Sequence, residues 1–491
     1  MGGGSLFKAN ESRAAGKLFL INDIFECFCM SRMYMKKTTL TLLLGLLCGL
    51  WAKAQPADSV LIRSFFNEAL GQGRAYDDLH YLCKNIGHRI SGSKQAQQAV
   101  EFTFERMKAY GFDTVYLQEV MVPQWVRGEK EKAFVSANGK KLMDLHVVAL
   151  GNSVGTGAAG LQAKVIEVFS LKELETLDRA EIEGKIVFYN RPFNDTHIIS
   201  FDAYRDAVDQ RSSGASEASK YGAVAVIVRS MTHSLDQYPH TGALRYAEGT
   251  KPIPAMAVST MDAQKLHELL LANRELKLSM TDYCVMKEDV KSYNVVGEIK
   301  GSLHPEQIIT VGGHLDSWDI GEGAHDDGAG CMQSMEALRL FKALHVKPER
   351  TIRAVMFMNE ENGLRGGKVY AEQAVLKGEK HYAAIESDRG GFTPRGFTVE
   401  AEGDTIEKMQ RWIKLLAPYG LDKIEQGGGG ADISYLNNQG AVLIGYVPDS
   451  QRYFDVHHAA TDVFESVNKR ELAMGAASMA SLLWLLSHYG F

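Results

Sequence analysis

At 491 residues the chain is long enough for two or three domains. It is 45% hydrophobic and 23% charged, with 54 Lys and Arg against 60 Asp and Glu, a net charge of −6. That is the composition of an ordinary globular protein without a basic footprint, so nucleic acid is not an expected partner.

The N-terminus reads as a targeting segment. Lys36 and Lys37 precede an apolar run over Leu40–Trp51, followed by the small-x-small site Ala52, Lys53, Ala54. This pattern predicts a secretory signal within residues 1–54 and an exported protein, periplasmic or secreted. The run is shorter than the roughly 20 apolar residues a span needs, so no stable membrane span is expected after cleavage. Met33 and Met35 stand directly before the lysines, consistent with an over-extended start upstream of them. Cleavage behind Ala54 leaves Cys83, Cys284 and Cys331, too few for a disulfide framework, although one bridge stays open. They read as small buried hydrophobes.

Residues 55–130 begin as helix and end as strand. Apolar residues recur at helical spacing from Lys94 to Phe112, with Gly111 as a stop, and TVYLQEVMV (Thr114–Val122) is strand-like up to Pro123. Residues 131–288 have another texture: short strands at Ala163–Phe169, Lys185–Asn190, Ala223–Val228 and Ala255–Ser259, and a short helix over Ala215–Tyr221. His233 and His240 fall here without partners at ligand spacing, so the segment reads as an inserted β-rich domain.

From 289 to 491 strands and helices alternate. QIITVGG (Gln307–Gly313) runs into His314, a helix covers Cys331–Leu344, and TIRAVMFMN (Thr351–Asn359) is the next strand. A helix over Glu372–Leu376 then precedes the strand HYAAIES (His381–Ser387), which runs into Asp388. This alternation predicts an α/β fold with a mostly parallel sheet flanked by helices. Ligands of such sheets bind beyond the carboxyl ends of the strands.

The chemistry-bearing motifs fall at those ends. GGHLDSWD carries His314 and Asp316, and a ligating histidine needs its second ring nitrogen oriented, a task within reach of Asp316. GAHDDGAG (Gly323–Gly330) puts Asp326 and Asp327 among glycines, either around a small cation or as a solvated helix cap. MNEENG offers Glu360 and Glu361, one able to bind metal while the other moves a proton. ESDRGG supplies Asp388, and HHAATD supplies His457, His458 and Asp462. Jointly, His, Asp, Glu, Asp and His without cysteine suit two zinc ions, and cobalt or manganese also fit such donors.

In order and spacing these motifs resemble the co-catalytic di-zinc exopeptidases, the family of leucyl-type aminopeptidases and their relatives. The likeness is closest to the carboxypeptidase Q branch, through HLDSWD, GEGAHDDGAG and IGHRISGS (Ile86–Ser93). The resemblance implies a zinc exopeptidase fold interrupted by a protease-associated-type insertion over 131–288, with GKIVFYN and YGAVAVIV carrying that likeness. It implies His314 and Asp388 on one zinc, Glu361 and His458 on the other, Asp326 bridging both, Glu360 as general base and Asp316 orienting His314. It also implies a cis peptide at Asp326–Asp327. His458 lies four residues before Asp462, as the family's last ligand does; His457 either donates to the oxyanion or only packs.

The implied reaction is hydrolysis of dipeptides or short peptides by metal-activated water attack, and a homodimer is compatible with the family. Alternatives are an aminopeptidase acting on longer peptides, a single-zinc aminoacyl cyclase of the glutaminyl type, and a receptor-like relative without catalysis. The loop Gly427–Gly430 with Asp432 either borders the substrate pocket or is a plain loop. Arg389 either meets a substrate carboxylate or forms a structural ion pair.

Overall fold

Near-continuous apolar runs such as TIRAVMF suit strands buried on both faces, in contrast to the alternation of a one-sided sheet. The computed structural model, which describes residues 56–491, places these runs side by side in the middle of an eight-stranded sheet. The signal and start-site readings concern residues 1–54 and lie outside the described residues.

Helix α1 (Lys94–Ala109) leads to strand β1 (Thr114–Val126). The chain then builds a second sheet from β2 (Lys132–Ala137), β3 (Lys140–Leu145), β4 (Val147–Ala149), β5 (Leu161–Val168), β6 (Ile186–Tyr189), β7 (Ala225–Arg229), β8 (Ala255–Val258) and β9 (Lys277–Thr281). Helix α2 (Ser200–Ser212) lies between β6 and β7. The chain returns through β10 (Val285–Ile299) and completes the first sheet with β11 (His304–His314), β12 (Arg350–Phe357), β13 (Lys380–Glu386), β14 (Pro394–Glu400), β15 (Lys423–Gln426) and β16 (Val442–Pro448). Helix α3 (Ala329–Ala343) follows β11, α4 (Arg365–Lys377) follows β12, and α5 (Lys469–Tyr489) follows β16. Both sheets belong to one unit, Ile62–Phe491; of the other unit, Met1–Leu61, only the first turns of the helix Pro56–Gln72 are described.

The first sheet has the order β1-β10-β12-β11-β13-β16-β14-β15. Its centre, β12-β11-β13-β16, is parallel, whereas β10 and β14 join it antiparallel. The expected mostly parallel sheet is therefore mixed. Helical crossovers such as α3 and α4 return the chain to the same edge and give parallel pairs. Strands β1 and β10 instead pair antiparallel, Val126 opposite Val285, because they are the outgoing and returning limbs of the excursion to the second sheet. Pro123 does not end β1 as the sequence suggested. The register shifts between Val122 and Gln124, a bulge that accommodates a residue with no N–H to donate.

The second sheet, β3-β2-β9-β5-β6-β7-β8-β4, is also mixed and apolar on both faces. Along β6, Ile186 and Phe188 enter one apolar layer while Val187 and Tyr189 enter the other. Two joints fix this sheet to the first. Phe193, Ala203, Ala207 and Met231 pack with Phe392, Tyr453 and Phe454, and Ala149 packs with Ile90, Trp125, Cys284 and Trp318. The first joint sets α2 across the carboxyl ends of the parallel strands.

Other elements extend or add to the sequence reading. The helix expected at Glu372–Leu376 begins earlier, at Arg365, where Gly366 and Gly367 had masked its first turn by their poor propensity. Helix α5 was not foreseen. It is long and apolar enough to cross a membrane, yet 72% of its apolar window is buried, as expected of a core helix apolar all round. Cys83, Cys284 and Cys331 are free and buried.

Arg353 on β12 faces Glu298 of β10 across the sheet and also clasps Glu379, with Nη1 to Oε2 at 2.7 Å. Burial alone would raise the Glu379 carboxyl, but bonds from His381 and Arg353 overcome it and hold it at about 2, below its ordinary 4.5. A depressed carboxyl stabilises the fold above its unfolded pKa and ceases to do so as pH falls towards the folded value. The melting temperature of Glu379→Gln should therefore lie below wild type at neutral pH, with the gap closing between about pH 4.5 and 2. Calorimetry across that range checks it.

Candidate active site

The four parallel strands deliver their loops to one place. β11 ends in His314, β12 leads to Glu360 and Glu361, β13 to Asp388, and β16 to His457 and His458. Asp326 arrives in the loop between β11 and α3. Glycines are required here for close approach: a Cβ on Gly313 would stand 2.1 Å from Asp327 Oδ2, and one on Gly330 would stand 1.8 Å from the Ser387 carbonyl oxygen. The Asp326–Asp327 peptide is cis. Asn359 and His458 both adopt left-handed backbone, φ +76° and +59°, a conformation uncommon outside glycine that recurs at functional sites.

Asp326 lies at the centre. Its Oδ1 is 3.1 Å from His314 Nε2, and its Oδ2 is 3.2 Å from His458 Nε2. Asp388 Oδ1 is 3.4 Å from His314 Nε2, and Glu361 Oε2 is 3.1 Å from His458 Nε2. The structure thus brings His314, Asp326, Glu361, Asp388 and His458 together. His457 stacks on His458 with ring centroids 3.6 Å apart, and its Nε2 is 3.8 Å from Asp326 Oδ2.

The supporting contacts select which nitrogen faces inward. His314 Nδ1 lies 3.0 Å from the backbone carbonyl of Asp316, an acceptor only, so Nδ1 carries the proton and Nε2 presents a lone pair. The carboxylate of Asp316, expected to do this, is 4.0 Å from Nδ1. It instead accepts the backbone N–H groups of Asn359, Glu360 and Glu361 at 2.7, 3.1 and 3.3 Å, because the NEEN turn aims three donors at it. Asp316 therefore acts on the glutamate loop. Asp327 accepts from the backbone N–H groups of His314 and Gly330, both at 3.0 Å. Asp462 accepts from those of His325 and Asp326, at 2.7 and 3.1 Å.

Crowding sets the electrostatics. Burial and the charges of Asp388 and Glu361 push the Glu360 carboxyl well above its ordinary range, and burial with the Asp326 charge brings Glu361 to about 7. Asp326 Oδ2, Glu361 Oε1 and Asp388 Oδ1 are buried acceptors without a hydrogen-bond donor. His314, Asp326 and Glu361, and likewise His314, Asp327 and Asp388, each offer ligand atoms within 4.8 Å of one another. Such a set suits divalent cations.

Further residues shape the site. A cavity of about 480 Å³ opens over Asp326, Glu360 and His458, and its opposite wall comes from the second-sheet segment, including Tyr204, Arg211 and Arg245. Arg89, within the IGHRISGS motif, is fully buried and holds the loop after β11 through the carbonyls of Leu315, Glu322 and Gly323 at 2.6, 2.7 and 2.8 Å. The loop Gly427–Gly430 is structural: it leads Ala431 and Ile433 to donate their N–H groups to Glu386. Arg389 sits over the Phe201 ring, 5.5 Å from its centroid. His240 donates Nδ1–H to the His457 carbonyl at 2.7 Å.

Residues 294–483 match Peptidase family M28. Carboxypeptidase Q of Bos taurus is 32% identical over 431 residues, 88% of each chain. The chain belongs to peptidase family M28. It is a metallo-exopeptidase, a hydrolase of peptide bonds, as the motifs led one to expect. Among solved structures, the Peptidase M28 precursor of Shewanella amazonensis SB2B superposes with a TM-score of 0.84 at 33% identity, covering 88% of this chain and 97% of that one. BSAP, a zinc aminopeptidase from Bacillus subtilis, shares the fold with a TM-score of 0.59 at 21% identity, covering 83% of this chain and 94% of that one.

The Asp316 cradle yields a test. Asp316→Ala should lower peptidase turnover by about 10- to 100-fold, the usual effect of losing a group that supports the reacting residues. Circular dichroism should stay unchanged, and steady-state kinetics measures the loss.

Proposed function

We propose that this chain is an exported two-zinc exopeptidase that cleaves dipeptides or short peptides in the manner of carboxypeptidase Q. The observation that carries the reading is the convergence of His314, Asp326, Glu361, Asp388 and His458 with donor-less buried carboxylate oxygens between them. His314 and Asp388 would hold one ion, Glu361 and His458 the other, and Asp326 both. The mixed imidazole and carboxylate donors favour zinc, and a zinc enzyme has the same fold.

Zinc bound there supplies Lewis acidity, lowering the pKa of water and stabilising charge on the carbonyl oxygen. Glu360, at the cavity edge and raised by burial, is suited to take the proton of the attacking water and return it to the leaving amine. His457 is kept uncharged by burial, so it is suited to donate a hydrogen bond to the developing oxyanion. We assign residues 55–130 and 289–491 to the catalytic domain and 131–288 to a protease-associated-like insertion, supported by the separate second sheet that β1 and β10 bracket.

Glu360→Gln should remove nearly all dipeptide hydrolysis while zinc content stays at two per chain. His458→Ala should lose about one ion per chain. Metal analysis and kinetics on the same samples check both, and normal turnover by Glu360→Gln would refute the role of the base.

A further inference from the structure

Arg211 on α2 is 7% exposed, and its guanidinium lines the cavity beside the candidate metal ligands. Nη2 donates to the Tyr204 hydroxyl at 2.7 Å. Nε is buried without an acceptor, and no carboxylate pairs with the guanidinium among the described residues. Nη1 stands 3.4 Å from His458 Nδ1, but that nitrogen is also 3.3 Å from the Thr241 carbonyl. With the His458 Nδ1 proton directed to Thr241, as an inward lone pair on Nε2 requires, Nη1 faces no acceptor either. Space is reserved for it: a Cβ on Gly242 would lie 2.4 Å from Nη1.

A buried cation without a counter-charge is costly unless a ligand supplies one. Arg245 lines the same wall, and its backbone N–H donates to the Ser212 carbonyl at 2.8 Å, tying it to the end of α2. The opposite wall carries Glu360, Glu361 and Asp388. A ligand bridging the walls thus needs an anionic end one imidazole ring beyond the centre. The carboxylate of the residue after a scissile bond meets that requirement, since one residue spans about 3.8 Å between α-carbons. The guanidinium fork matches a carboxylate in shape as well as charge.

We propose that Arg211, assisted by Arg245 at the rim, binds the free α-carboxylate of the substrate's C-terminal residue. The segment between β1 and β10 thereby restricts cleavage to the bond next to a free C-terminus. The proposal rests on the peptidase reading above and adds which end of the peptide is recognised.

The test compares kcat/KM of zinc-loaded full-length protein for alanyl-alanine and its C-terminal amide. Wild type should prefer the free acid by at least about 30-fold, the lower range for an unmatched buried charge pair. Arg211→Gln should lose that preference, chiefly through KM on the acid, with the amide rate and melting temperature unchanged. Arg211→Lys keeps the charge without the fork and should fall between, and Arg245→Gln should lose several-fold. Equal rates for acid and amide in wild type would overturn the proposal alone, as would equal losses on both substrates in Arg211→Gln. Hydrolysis of neither peptide by wild type would overturn the peptidase reading itself. If Arg211→Gln does not fold, the wild-type acid-to-amide ratio and Arg245→Gln still decide. Among amidated dipeptides, an Arg211-dependent preference for C-terminal Glu over Gln would assign the arginine to a side chain and overturn the α-carboxylate assignment.

Discussion

Glu360, Glu361, Asp326 and Asp388 share one cavity edge, and the cost of holding that much negative charge out of water governs the surrounding architecture. Two histidines lean against Asp326, and burial raises both glutamates. Around this cluster a further ring of carboxylates is satisfied entirely by backbone N–H groups: Asp316 by the glutamate loop, Asp327 by His314 and Gly330, Asp462 by His325 and Asp326. Asp326, Glu361 and Asp388 keep donor-less oxygens while Asp316, Asp327 and Asp462 do not, which distinguishes carboxylates open to a cation from carboxylates occupied with backbone.

The fold supplies the convergence. Parallel strands joined by helices end on one side, and four of them present their loops there. The antiparallel β1–β10 pair sends the chain away and brings it back at one point, so the second sheet can sit over the site without breaking the first. The aromatic joint of Phe193, Tyr453 and Phe454 then sets α2 as the far wall of the cavity. On the proposed reading, chemistry and selection belong to different parts of the chain: the strand ends would bear the ligands, and the segment between β1 and β10 bears the arginines.

Much of this was legible beforehand. The motifs at His314, Asp326, Glu360, Asp388 and His458 stand out because charged residues at the ends of apolar strands are costly without a purpose, and parallel topology makes such ends meet. The family resemblance they carried holds over 88% of the chain. The partner of Asp316 was misjudged because spacing along a strand cannot distinguish a side chain from its own backbone carbonyl as the group that orients His314. The sheet is more mixed than the mostly parallel one expected because residues of β10 pair with β1 across some 170 positions of intervening chain, a contact with no local periodicity. Arg211 and Arg245 carried no signal because only the joint between the sheets brings them to the site.

The most direct test of the metal centre is anomalous diffraction at the zinc edge from metal-loaded crystals. The account predicts two peaks flanking Asp326, one beside His314 and Asp388 and the other beside Glu361 and His458. A single peak, or peaks away from Asp326, would contradict it.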